Sequence, residues 1–114
     1  MTLTAKVDYV EYAGDTLDMD FLIYNKNTTI PKNFSGCLVR IQVWDQDKNL
    51  VLTRSSATND IILNRSSKSN ILVSISKTDT AQLGIGSYTY AIILTDTDNH
   101  DNTMIVGTIQ LQGR

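Results

Sequence analysis

The chain has 114 residues, 41% of them hydrophobic and 19% charged, with a formal net charge of −2. That length suits one folded core and not two, and the balance is that of a globular chain rather than a disordered one. A net acidic chain lacks the concentrated basic surface that phosphates demand, which argues against a nucleic-acid partner; no apolar run approaches membrane-spanning length, which argues against a membrane.

The acids are eleven Asp against the single Glu11. Asp, Asn, Ser, Thr and Gly favour turns, whereas Glu favours helix. Thr is abundant and Ala scarce, which points to strands. The opening Met1 to Lys6 has no apolar core and no cleavage signature, so no secretory leader is expected. Cys37 is the only cysteine, so an intramolecular disulfide is impossible.

In chain order, Val7 to Ala13 reads as a first strand ended by Gly14-Asp15. Thr16 to Tyr24 alternates, with Leu17, Met19, Phe21 and Ile23 on one face. Asn25 to Gly36 is a polar loop holding the only proline, Pro31. Cys37 to Asp45 is the third strand: Cys37, Val39, Ile41 and Val43 share one face, and Leu38, Arg40, Gln42 and Trp44 the other. Short strands follow at Leu50 to Thr53 and Ile61 to Leu63, then a longer one at Ile71 to Ser76. Lys77 to Gly84 breaks the alternation and predicts one helical turn, capped by Asp79 and ended by Gly84. Ser87 to Thr95 and Thr103 to Gln112 are the last strands, joined by the turn-rich Asp96 to Asn102.

Short strands with turn signals every eight to twelve residues, and no strand–helix repeat, predict an all-β fold. The expectation is a single immunoglobulin-like antiparallel β-sandwich of seven or eight strands with one short helical turn, spanning residues 1–114. A closed barrel is the alternative. Tyr88 near a strand start reads either as a tyrosine corner or as an ordinary core aromatic.

Several motifs in this order resemble a known family. They are Gly14-Asp15-Thr16 before an alternating strand, Phe34-Ser35-Gly36 before Cys37 to Val43, and Ser74 to Leu83 with its Thr78-x-x-Ala81-x-Leu83 turn. Gly86-x-Tyr88-x-Tyr90 and the closing Gly107 to Leu111 complete the set. Over residues 14–111 the chain resembles the small immunoglobulin-like β-sandwich proteins of tailed-phage virions, such as the N-terminal domain of baseplate upper proteins. The resemblance implies a structural, non-enzymatic protein of the virion, assembled in the host cytoplasm. It would be present in many symmetric copies and docked to other virion proteins and to copies of itself.

No cofactor, metal or catalytic residue is expected. Asp96, Asp98, Asn99 and Asp101 offer oxygen ligands for calcium, but His100 and Asp101 stand where an EF-hand wants an acid or amide and a glycine. Turn formation explains the same residues. His100 is the only histidine, with no partner set for zinc. Cys37 reads as a buried small hydrophobe, and Asp18 with Asp20 as solvated carboxylates. No G-x-S-x-G motif is present.

For partner contact the sequence offers the loops 25–36 and 96–102, with Tyr24, Ile30, Phe34, Trp44, Arg40, Asp98, Asn99 and His100 as candidates. Leu22, Tyr24, Leu38, Trp44, Leu72 and Ile93 alternate away from the core and form either an apolar patch or, through register breaks, more core. The rival reading is a carbohydrate- or host-surface-binding module displayed on the virion, which needs exposed aromatic platforms.

Overall fold

A computed structural model describes residues 5–25, 27–58, 60–66 and 69–113. The start of the chain, read above for a leader, and Lys26 in the first long loop lie outside the described residues. Alternating apolar positions build the strands β1 (Ala5–Lys6), β2 (Tyr9–Tyr12), β3 (Leu17–Phe21), β4 (Leu38–Trp44) and β5 (Leu50–Ser55). After a 3-10 turn at Ser56–Thr58 come β6 (Ile61–Ser66), β7 (Ser69–Ile75), the helix α1 (Lys77–Leu83), β8 (Gly86–Thr95) and β9 (Asp101–Gln112).

The strands form two sheets. The larger runs β1-β9-β8-β4-β5, with β2 also on β9; the smaller runs β3-β7-β6. Met19, Val39, Ile41, Ile71, Val73 and Ile92 are wholly buried where the two sheets face each other. This is the immunoglobulin-like sandwich that the sequence predicts, and the closed barrel is set aside.

One pairing departs from the antiparallel expectation. β1 and β2 lie parallel to β9, with Ala5 opposite Ile105 and Tyr9 opposite Ile109. Parallel neighbours need a long connection; here it is nearly the whole chain.

The predicted strand Val7–Ala13 is interrupted at Val7 and Asp8. The Tyr90 hydroxyl donates to the Val7 carbonyl at 2.6 Å, and the Asp8 carboxylate accepts from the Thr108 amide at 3.0 Å. The Val7 amide still donates to the Val106 carbonyl at 2.9 Å, and side chains take up the bonds on either side of it. Gly107 makes the approach possible, because a Cβ there would sit 1.7 Å from the Val7 oxygen. Burial, then Tyr9 and Asp8, push the Tyr90 hydroxyl well above the ordinary phenolic range.

The helix also differs from expectation. Ser76, not Asp79, is the N-cap, its hydroxyl accepting from the Asp79 amide at 3.1 Å. Asp79 is free to turn outward to Arg54. Gly84 ends the helix at φ 83°, as predicted. The Tyr88 ring is buried, and its hydroxyl lies 2.5 Å from the Leu83 carbonyl and 3.0 Å from that of Gly84, so Tyr88 is a tyrosine corner. Thr80 ties this end to the first turn: its hydroxyl donates to the Asp15 carbonyl and accepts from the Gly14 amide.

Replacing Gly107 by Ala should push β1 and β2 off β9 and lower stability by about 1–3 kcal/mol, the usual cost of overpacking. Urea unfolding measures the loss, and faster amide exchange at Val7 should accompany it. An unchanged midpoint with Val7 still protected would contradict this account of the interruption.

Candidate functional site

Two connections emerge at the end of the sandwich where β4 begins. The first, residues 25–36, follows β3. The second, residues 96–100, joins β8 to β9. They lie side by side: a Cβ added to Gly36 would stand 3.2 Å from the Thr97 methyl group.

The first connection is held from beneath by two asparagines. Asn70 on β7 is 2% exposed. Its amide oxygen accepts from the Ile23 amide at 2.8 Å, and its nitrogen donates to the carbonyls of Ile23 at 2.6 Å and Lys32 at 3.0 Å. Asn64 on β6, in a left-handed conformation with φ 55°, accepts from the Phe34 amide at 2.8 Å. Tyr24 and Pro31 bridge across the loop, and the Asn25 amide donates to the Ile30 carbonyl at 2.8 Å. Tyr24 and Ile30 stay outside at 47% and 61% exposure.

The second connection is built around one carboxylate. Asp96 Oδ1 accepts from the amides of Asp98 and His100, both at 2.9 Å, and Asn99 takes the left-handed φ of 64°. The β4–β5 turn repeats the device: Asp45 Oδ1 accepts from the amides of Asp47 and Asn49 at 2.9 Å, with Lys48 at φ 64°. Asp96, Asp98 and His100 do bring possible ligand atoms within 4.8 Å of one another. The twin turn accounts for that grouping as hairpin geometry.

Beside this turn, on the outer face of the larger sheet, Arg40 spans β4 to β9. Its guanidinium donates to the Thr95 hydroxyl at 3.0 Å and meets Asp101 at 3.2 Å. The Thr95 hydroxyl also donates to Asp101 at 2.6 Å. That bond first, and Arg40 next, hold the Asp101 carboxyl below its ordinary 3.8.

Of the predicted contact residues, Tyr24, Ile30, Asp98, Asn99 and His100 gather at this end with Arg40 alongside. Two do not. Phe34 is wholly buried: it is a plug under the loop, which periodicity cannot see because it lies outside any strand. Trp44 stands at the far end of β4, roughly 20 Å from Leu38 at strand spacing, half-buried between Thr89 and Leu50.

The supposed outer patch is split as well. Leu38, Trp44 and Ile93 lie on the larger sheet, while Leu72 lies on the smaller one with Leu22 and Tyr24 just past the end of β3. Cys37 is half-buried against the core, not fully buried. Asp18 and Asp20 each bond a serine hydroxyl of β7, Ser74 and Ser69.

No protein-family model matches the sequence, and no curated protein matches it. Solved structures of similar shape include CopC from Methylosinus trichosporium OB3b, 16% identical, covering 97% of this chain and 89% of that one, with a TM-score of 0.46. Murine CRIg is 14% identical, covering 96% and 92%, with a TM-score of 0.40. Neither bears on what this chain binds.

Because the folded Asp101 titrates below its unfolded value, its contribution to stability is present above about pH 4, the ordinary carboxylate range, and fades as pH falls through the lowered midpoint. Carbon-detected NMR titration should place Asp101 below 3.8. Thr95→Val and Arg40→Ala should each raise the midpoint; equal midpoints in all three proteins would contradict the assignment.

Proposed function

We propose that the chain is a non-enzymatic docking module of a bacteriophage virion, joined to other particle proteins through its loop end. The observation that carries this reading is the meeting of loops 25–36 and 96–100 on a frame that holds both in place. Preordered loops on a stiff sandwich lose little conformational freedom on binding. Ile30 and Tyr24 offer apolar anchors, and Asp98, Asn99 and His100 a polar rim, the usual composition of a docking patch.

The motif order over residues 14–111 supports the virion as the assembly. Many weak contacts, one per copy, give strong attachment in a symmetric particle. A glycan-binding role asks for open aromatic platforms; Trp44 is half-covered and stands at the far end, and among the described residues of this end Tyr24 is the sole exposed Tyr, Trp or Phe.

The test is quantitative mass spectrometry of purified particles carrying either the native chain or the Tyr24→Ser, Ile30→Asp double variant. The native chain should be present at a fixed multiple of the particle symmetry. The variant should keep its thermal midpoint and fall at least about tenfold in incorporation, the scale of losing a hot-spot pair. Absence of the native chain from particles, or equal incorporation of the folded variant, contradicts the proposal.

A further inference from the structure

A cleft of about 510 Å³ opens between β5 and α1 on the Trp44 side of the sandwich, away from the loops. Leu50, Leu52 and Leu83 give it an apolar lining, and Asp45, Arg54 and Asp79 a charged rim. Pockets of about 300–1,000 Å³ suit ligand-sized groups. This one lies along a sheet edge, because β5 pairs with β4 and no other strand among the described residues.

Hydrogen bonds show which backbone groups face outward. In an antiparallel pair the N–H and C=O of one residue point to the same side, and neighbouring residues point to opposite sides. The Val39 amide donates to the Ser56 hydroxyl at 3.1 Å, so Val39, Ile41 and Val43 turn their amides toward β5. Their partners Arg54 and Leu52 therefore face β4, and Thr53 and Ser55 face the open edge. A side chain confirms it. Arg54 Nη1 donates to the Thr53 carbonyl at 2.8 Å, and the Ser55 carbonyl makes no strand bond on that side among the described residues. Arg54 Nη2 meanwhile holds both Asp79 oxygens at 2.9 Å. Arg54 is thus a latch, tied to the helix and laid over an edge carbonyl.

We propose that the β5 edge and its cleft take an extended segment of another protein as an added strand, with an apolar side chain entering the cleft and a basic one meeting Asp45. Strand addition draws affinity from the backbone and specificity from alternate side chains. The rim sets the charge of the guest: Asp45 and Asp79 face a single Arg54, so a basic neighbour is attracted. A second copy would bring an identical acidic rim and be repelled. The incoming strand displaces Arg54 from Thr53. This site lies at the far end of β4 from the loops and does not rest on the virion reading.

The test uses the full chain, isotope-labelled, with three end-blocked synthetic hexapeptides. One has the sequence Thr-Val-Lys-Val-Thr-Val, one carries Glu in place of Lys, and one is the Lys peptide N-methylated at alternate amides. The Lys peptide should shift the Thr53 amide resonance and slow its exchange. The Glu peptide should bind about tenfold more weakly, as charge reversal at a rim predicts, and the N-methylated peptide should not bind.

Thr53→Pro removes an N–H that no ladder uses; it should abolish binding at an unchanged thermal midpoint. Asp45→Asn keeps the turn-capping oxygen and should narrow the gap between the Lys and Glu peptides. Three results would overturn the proposal: no Thr53 shift at millimolar peptide, equal binding of the N-methylated peptide, or full binding by folded Thr53→Pro. Concentration-dependent self-association that Thr53→Pro removes would instead assign the edge to a second copy, and overturn it too.

Discussion

A single buried amide decides how one end of this molecule is organised. At Asn70 the strand β3 gives out and the loop returns at Lys32; the Lys32 amide donates to the Ile23 carbonyl at 2.8 Å, but without Asn70 the Ile23 amide and the Lys32 carbonyl would be left short of partners. An unpartnered buried polar group costs about 1–3 kcal/mol. The Asn70 side chain serves Ile23 twice and Lys32 once. A loop anchored this way cannot swing freely, and Phe34 beneath it, bonded to Asn64, fills the space that would otherwise let it move. The docking role proposed for the loop end depends on that fixity.

The aspartates explain themselves once their partners are seen. Asp45 and Asp96 each fold a hairpin by accepting two amides. Asp8 stands in for a ladder carbonyl, and Asp18 and Asp20 cross to serines on β7. Asp79 restrains Arg54. A composition so rich in Asp and so poor in Glu suits a chain that spends carboxylates on turns and strand crossings, where a short side chain reaches its own backbone.

The core was legible from residue spacing, because period-two burial is what alternation encodes: Leu17, Met19 and Phe21, or Val39, Ile41 and Val43, could face only one way once a sheet covered them. The tyrosine corner and the ending glycine of α1 were legible for local reasons. Parallel docking of β1 and β2 was not, since it joins residues about a hundred positions apart through Gly107 and Tyr90. Of the loop site, Tyr24, Ile30 and the 98–100 tip could be named in advance from turn chemistry. Phe34 could not, because a lone aromatic in a polar loop shows no periodicity. Nor could the open edge of β5: which strand ends a sheet is a matter of topology, and the bulge between Val43 and Trp44 that leaves both Leu50 and Val51 exposed has no sequence mark.

Amide hydrogen exchange on the intact chain tests the fixity of the loop end most directly. Among the described residues the Ile23 and Phe34 amides lie outside every strand and bond only to asparagine side chains. Exchange at both amides should be slowed at least about 100-fold relative to an open chain, the signature of a locally stable segment. Ile23 should lose that protection in Asn70→Ala while Val73 in the core keeps its own. Open-chain exchange at Ile23 and Phe34 in the unaltered protein would contradict that fixity.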